Sequence, residues 1–251
     1  MAGLGANEYG DAHADVYERI YGARFTPDAA VDALSRAAGQ GGRLLELGLG
    51  TGRLAIPLLE CGVHVDGIEA SAAMIARLRA QPGGDRVGVF QVDLAGFTLP
   101  SGAYDVAVCA VSTLFMLPGR AAQQRCIAAA AQHLRPGGRL FIEAFRPDAS
   151  RFDASGKRVE SRPDPAGSGH LVRSHHDAQR RCIQISHELT DTNGTSTAYE
   201  VTLHYLTPDE IDVLASCAGL RLVARWHDWS TQPAVESTPD PISVYELDSI
   251  R

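Results

Sequence analysis

Apolar residues recur along this chain in two rhythms. From Arg43 to Phe145, short apolar runs alternate with stretches where apolar residues return every three or four positions, the spacing of a helix with one buried face. The runs Arg43–Leu47, Val63–Ile68, Val87–Val92, Tyr104–Val111 and Arg139–Phe145 predict five strands. The helices between them are predicted over Arg53–Cys61, from a Ser71 cap to about Arg79, and over Arg120–Leu134, with Arg135-Pro136-Gly137-Gly138 as a turn. Tyr104–Val111 is almost continuously apolar, as suits a strand covered on both faces. Strands alternating with helices predict a parallel sheet of βαβ units. Ahead of this region come a short amphipathic segment around Ala14–Tyr21 and a helix to Ala38, with Thr26 as N-cap, Pro27 at its first position and Gly39 as its stop.

After Arg146 the rhythm changes. Residues 147–168 are rich in Pro, Asp, Gly and Ser and predict a loop. Period-two runs follow at Leu171–His176, Cys182–Thr190 and Ser196–Tyr205. Ile183, Ile185 and Leu189 share one face of their run, and Tyr199, Val201, Leu203 and Tyr205 share one face of theirs. Asn193-Gly194 predicts a tight hairpin of type I′. This is an antiparallel insertion. Thr207-Pro208-Asp209-Glu210 then predicts a capping box opening a helix to about Cys217, stopped by Gly219. Leu220–Trp226 and Ile242–Leu247 predict the last two strands. The expected division is a core at 1–146, an insertion at 147–205 and a return to the core at 206–251.

Composition narrows the classes of function. The net charge of −7 comes without any Lys/Arg-rich block, which disfavours duplex nucleic acid as a partner, since phosphate neutralisation dominates that affinity. Five scattered cysteines, with no CxxC pair, argue against a disulfide framework and a zinc cluster, and predict buried free thiols in a reducing compartment. No apolar run has membrane-spanning length and the first residues do not read as a secretion signal, so a cytoplasmic protein off the membrane is expected. No metal-ligand spacing is present, so no metal is expected.

The candidate chemistry begins at Glu46-Leu47-Gly48-Leu49-Gly50-Thr51-Gly52, which follows a strand and opens a helix. Glycines let backbone turn sharply and approach a ligand. The spacing is G-x-G-x-G, not the G-x-G-x-x-G of dinucleotide sites. Glu69 closes the second strand, where a carboxylate can accept from ribose hydroxyls. Asp93 follows the third, where a carboxylate can accept from an adenine amino group. All three features fall at carboxyl ends of adjacent strands, where open α/β sheets bind ligands.

Together with Tyr104-Asp105-Val106 and Leu134-Arg135-Pro136-Gly137-Gly138, these residues resemble the class I S-adenosylmethionine-dependent methyltransferases. Within that family the chain is most similar to small-molecule members such as amino-sugar N-methyltransferases. The resemblance implies a Rossmann-like, doubly wound α/β fold with a mostly parallel seven-stranded sheet whose last strand is antiparallel. It implies S-adenosyl-L-methionine as cofactor and S-adenosyl-L-homocysteine as product. Glu46 and the loop glycines Gly48, Gly50 and Gly52 would hold the methionine part, Glu69 with Ala70 the ribose, and Asp93 and Leu94 the adenine. Tyr17 would sit near the sulfonium, and Val111 would complete the cofactor contacts. Leu49 departs from the smaller residue many relatives carry and is expected to narrow the site slightly.

The acceptor pocket is expected between the exit of strand four and the insertion, with Tyr21, Ser112, Phe115 and His204 as contacts. His175 and His176 are the preferred candidates for a base, because alternation turns one of them inward. The expected reaction is in-line methyl transfer to nitrogen or oxygen of a small molecule, driven chiefly by proximity. An RNA or protein methyltransferase, or a non-methylating nucleotide-binding protein on the same scaffold, are the alternatives.

Overall fold

A computed structural model describes residues 10, 11, 14, 27–100, 103–163 and 169–248. Tyr17, Tyr21, the Ala14–Tyr21 segment and the Thr26 cap fall at or beyond the edge of these residues, so Tyr17, Tyr21 and Thr26 lie outside the described set.

Helix α1 (Asp28–Ala38) leads into strand β1 (Arg43–Leu47). Then come α2 (Ala55–Glu60), β2 (His64–Ile68), α3 (Ala72–Ala80), β3 (Gly88–Phe90), β4 (Tyr104–Cys109), α4 (Arg120–His133) and β5 (Leu134–Glu143). The insertion carries β6 (Lys157–Pro163), β7 (Gly169–Asp177), β8 (Cys182–Thr190) and β9 (Ser196–His204). Helix α5 (Pro208–Cys217), β10 (Leu220–Trp226) and β11 (Ile242–Leu247) close the chain.

The seven core strands lie in the order β10-β11-β5-β4-β1-β2-β3. Every neighbouring pair is parallel except those made by β11, which runs antiparallel to both β5 and β10. The chain moves outward from β1 to β2 and β3, then returns to the other side of β1 at β4. The carboxyl ends of β1 and β4 therefore diverge, and their loops leave a crevice between them.

Side-chain alternation explains the layers. Leu44, Val106, Val108 and Phe141 point to the face covered by α1 and α2. Leu45, Ala107, Cys109, Leu140 and Ile142 point to the face covered by α4 and α5. Both sets are essentially inaccessible to solvent, so the central strands carry apolar side chains on both faces and not on one alone.

The second sheet is antiparallel, in the order β6-β7-β8-β9. Ile183 and Leu203 on its inner face pack against the core. The fully buried Gln123 of α4 donates from Nε2 to the carbonyls of Leu114 and His204, tying the root of the insertion to the core.

Several expectations shift. The supposed loop 147–168 contains β6, whose inward side chains at 158, 160 and 162 are Arg, Glu and Arg joined by ion pairs. Its one large apolar residue, Val159, faces outward and is 65% exposed, so hydrophobic patterning cannot reveal this strand. β3, at the sheet edge, stops at Phe90, where the Val92 N–H turns back to the Phe90 carbonyl.

In β5, Leu134 pairs with Tyr104 and Arg139 with Val106, so the expected turn at Arg135–Gly138 is a bulge inside a longer strand. Pro27 is the N-cap of α1, not its first helical residue. The hairpin at Asn193-Gly194 forms, but only Gly194 has positive φ (84°) and the loop spans residues 191–195, so it is not of type I′. Cys109, Cys126 and Cys182 are buried free thiols, whereas Cys61 and Cys217 are exposed.

The capping box of α5 forms as read: the Glu210 N–H donates to Thr207 Oγ1, and the Glu210 carboxylate accepts from the Thr207 N–H at 2.8 Å. Replacing Thr207 with Ala should lower stability by about 1 kcal/mol. Urea unfolding of the two proteins measures this as a lower midpoint with an unchanged slope.

Candidate active site

Strand β1 ends at Leu47 and the chain turns on Gly48, whose φ is 83°. A Cβ at Gly48 would stand 2.5 Å from Thr113 Cγ2, so the loop after β4 leaves no room for one. At Gly50, φ is 55° and a Cβ would meet nothing within 4 Å, since it would project into open space. Gly52 differs: its absent Cβ makes room for Leu78 Cδ1 at 2.3 Å, behind the loop.

Glu69 holds this loop. Its carboxylate accepts from the Gly50 N–H at 2.8 Å and the Ser71 N–H at 2.9 Å. Burial raises the Glu69 pKa, and these amide bonds pull it back. Ser71 caps α3 by accepting from the Met74 N–H, and its hydroxyl donates to Asp11 at 2.6 Å. Glu46 is 5% exposed. Burial pushes its pKa up to about 8, against the attraction of Arg53 and a bond from the Ala55 N–H. Its Oε2 has no hydrogen-bond partner in the protein.

The exit of β4 is strained. Val111 and Ser112 have φ of 50° and 57°, in the left-handed region that side chains disfavour. β5 secures both. Glu143 accepts from the Val111 N–H through its carboxylate at 2.8 Å and from the Ser112 N–H through its carbonyl at 2.9 Å. The Phe145 N–H donates to Ser112 Oγ at 3.1 Å. Burial raises the pKa of Glu143, countered by Val111 and Trp229.

These loops border a cavity of about 320 Å³. Of the residues singled out in the sequence, Gly48, Gly50, Glu69, Ala70, Leu94, Val111 and Ser112 line it. The opposite wall is Phe145 with Arg162, Ile185, His187, Val201 and Leu203, the last five from the second sheet.

The remaining candidates lie elsewhere. Glu46 is buried near the end of β1 and is not among the lining residues. Asp93 is exposed and accepts from the Ala95 N–H at 2.7 Å, as a turn residue does. Phe115 is fully buried and supports the wall by an edge-to-face contact with Phe145 at 4.9 Å. Leu49 turns away from the cavity and fills the space over Gly67, so it does not narrow the site. His204 is half-buried outside the lining, and burial lowers its pKa.

His175 faces the outer side of the second sheet, in register with Lys157 and Gln184. His176 does face inward, but its Nε2 lies 2.7 Å from the Tyr205 hydroxyl and its ring lies against Phe152. Neither histidine reaches the cavity. Among the described residues, the histidine that does is His187, which shares a face with Ile183, Ile185 and Leu189 at the same period of two. That alternation was the signal that could have found it. Among the described residues, no group of three or more His, Cys, Asp or Glu is arranged to hold a metal.

A profile described as a methyltransferase domain matches residues 44–138. The CcbJ methyltransferase from Streptomyces caelestis is 33% identical in sequence, with a TM-score of 0.87 over 98% of this chain and 100% of that one. The chain belongs to the class I S-adenosylmethionine-dependent methyltransferases. This methyltransferase is also 27% identical over 207 residues to a cypemycin N-terminal methyltransferase from a Streptomyces species, covering 82% of this chain and 83% of that protein. Its fold matches the S-adenosylmethionine-bound CalS10, an amino pentose methyltransferase from Micromonospora echinaspora. That match is at 24% identity, with a TM-score of 0.71 over 92% of this chain and 96% of that one.

The residues present fit the methyltransferase cofactor. The unpartnered Glu46 Oε2 suits a cationic ammonium, and the bare face of Gly50 leaves the space a ligand needs.

Replacing Gly50 with Val in this methyltransferase would place a β-branched side chain in that space at a φ it disfavours. Calorimetric titration with S-adenosylhomocysteine should show binding abolished, while circular dichroism shows the fold retained.

Proposed function

We propose that this small-molecule methyltransferase transfers a methyl group from S-adenosylmethionine to a nitrogen or oxygen of an acceptor held against the inner face of the second sheet. The observation that carries the reading is the continuity of the cavity. One space runs from Glu69 and Gly50, past Val111 and Ser112, to Ile185, Val201 and Leu203. A donor at one end and an acceptor at the other would meet at the exit of β4.

The cofactor supplies an activated methyl group on a sulfonium. The chain's own task is then alignment and exclusion of water. In this reading Glu46 receives the amino group of the methionine part, beside the Gly48–Gly52 loop. Glu69, Ala70 and Leu94 border the nucleoside, with Asp93 at its edge. The preset Val111–Ser112 turn fixes the wall where donor and acceptor meet. Residues 147–205 serve as the acceptor-binding insertion between the two core segments, 1–146 and 206–251. The apolar wall of Phe145, Ile185, Val201 and Leu203 suits an acceptor with substantial apolar surface.

Methyl-labelled cofactor incubated with separate small-molecule, RNA and protein fractions of a bacterial extract tests this reading. Label should accumulate in the small-molecule fraction, and mass analysis of the product then distinguishes N- from O-methylation. Label confined to RNA or protein would overturn it.

The Glu46 carboxyl gives a second test. With its pKa raised to about 8, it is largely protonated at pH 7, and a cationic amino group beside it favours the carboxylate. Binding should therefore release protons at pH 7, visible as a binding enthalpy that varies with the ionisation enthalpy of the buffer. The release should fade as pH rises above 8, and Glu46→Gln should abolish it.

A further inference from the structure

The wall that the second sheet gives to the cavity is apolar at Ile185, Val201 and Leu203, and it carries an arginine, Arg162 of β6. Among the described residues that line the cavity, Arg162 is the one arginine or lysine and Glu69 the one carboxylate. Glu69 stands at the glycine loop, engaged by the Gly50 and Ser71 amides. The ion pair of Arg162 is local. Its guanidinium meets Glu160 Oε2 at 3.2 Å, while Arg158 takes Oε1 of the same carboxylate. Arg158, Glu160 and Arg162 alternate along β6, in register with Ser174, Val172 and His170 of β7. All three side chains are 26–27% exposed.

Two cations thus share one anion, and the trio keeps one positive charge beside an apolar wall. A partly buried excess charge costs free energy, and an opposite charge brought by a ligand recovers it. A guanidinium has five N–H donors in a planar fork. The bond described to Glu160 uses one of them, which leaves the fork donors for a second carboxylate.

We propose that Arg162 anchors a carboxylate of the methyl acceptor, which makes the acceptor an amphiphilic carboxylic acid. The inference rests on the cavity being the methyl-transfer site. The charged end lies on Arg162, the apolar body along Ile185, Val201 and Leu203, and the methylated nitrogen or oxygen toward Val111 and Ser112. One excess positive charge matches a carboxylate better than a phosphate dianion. The carboxylate of S-adenosylmethionine is a separate group, since the methionine part is read beside Glu46 and the Gly48–Gly52 loop, on the core side. Arg162 selects and orients the acceptor and takes no part in making or breaking bonds.

The first test needs no turnover. Phenylacetate is titrated into the intact protein loaded with S-adenosylhomocysteine, and the arginine Nε–Hε signals are followed by proton–nitrogen correlation. The Arg162 signal, assigned by its loss in R162K, should shift to saturation. Phenylacetamide, similar in shape and uncharged, should leave it in place. No saturable shift with phenylacetate, or tighter binding of phenyl phosphate, would overturn the proposal.

The second test follows labelled methyl into the small-molecule fraction of a bacterial extract. Esterifying the carboxylates of that fraction beforehand should abolish labelling, and saponification should restore it. With the acceptor recovered from the labelled peak, R162Q should raise KM at least about 10-fold, the loss expected for a charge-assisted bond. Its turnover at saturation should stay within about threefold of the parent, with S-adenosylhomocysteine affinity unchanged. R162K keeps the charge without the fork and should fall between the two. R173Q, on the outer face of the sheet, should match the parent. Labelling that survives esterification, an unchanged KM in R162Q, or weakened S-adenosylhomocysteine binding in R162Q would overturn the proposal. If the parent labels no small molecule, the reading of the cavity fails instead, and the phenylacetate titration still decides whether Arg162 is a carboxylate site.

Discussion

The bonds from the amides of Gly50 and Ser71 to the Glu69 carboxylate bind the first βα loop to the end of the second strand. The rest of the site depends on this junction. A parallel sheet places its strands side by side but leaves their connecting loops free to diverge. One carboxylate accepting from both loops removes that freedom. It is also costly to bury, and its raised pKa records that cost. The amide bonds offset the loss of solvent, so the charge, the loop and the start of α3 hold one another in place.

A second anchorage balances the first across the switch point. Glu143 and Phe145 of the β5 side hold Val111 and Ser112 in a conformation that neither would adopt alone. The two anchorages are neighbours along the cavity, one built on a glycine loop and one on strained side-chain-bearing residues. The first leaves backbone bare for a ligand to approach. The second presents fixed backbone and side-chain atoms at the exit of β4. Gln123 then couples this arrangement to the second sheet through the His204 carbonyl.

Much of the core was legible because its elements obey local rules. The capping box at Thr207, the stop at Gly39, the apolar run of β4 and the bounds of β8, β10 and β11 each follow from chemistry within a few residues. What escaped depends on partners distant in sequence. β6 satisfies its inward charges with one another and leaves its apolar residue outside, so it resembles a loop. Gly52 and Gly50 look alike in a glycine run, yet one makes room for Leu78 and the other faces open space at the cavity. His175 and His176 drew notice as an adjacent pair. His187 follows the alternation already visible in Ile183, Ile185 and Leu189, but a polar residue in that series does not announce which face is the cavity.

The alternation of the second sheet has a consequence for how selectivity can change. On the core side of the cavity the lining residues belong to loops anchored to several strands, so altering one disturbs many contacts. Across the cavity, the wall is a lattice of side chains from β6, β8 and β9, interleaved with outward positions such as Val159 and Gln184. Each inward position can be exchanged without moving the backbone that carries it, and each outward one can drift at little cost. A lineage built on this scaffold could therefore reshape this wall by single substitutions at alternate positions, while the loops of the core side stay as they are.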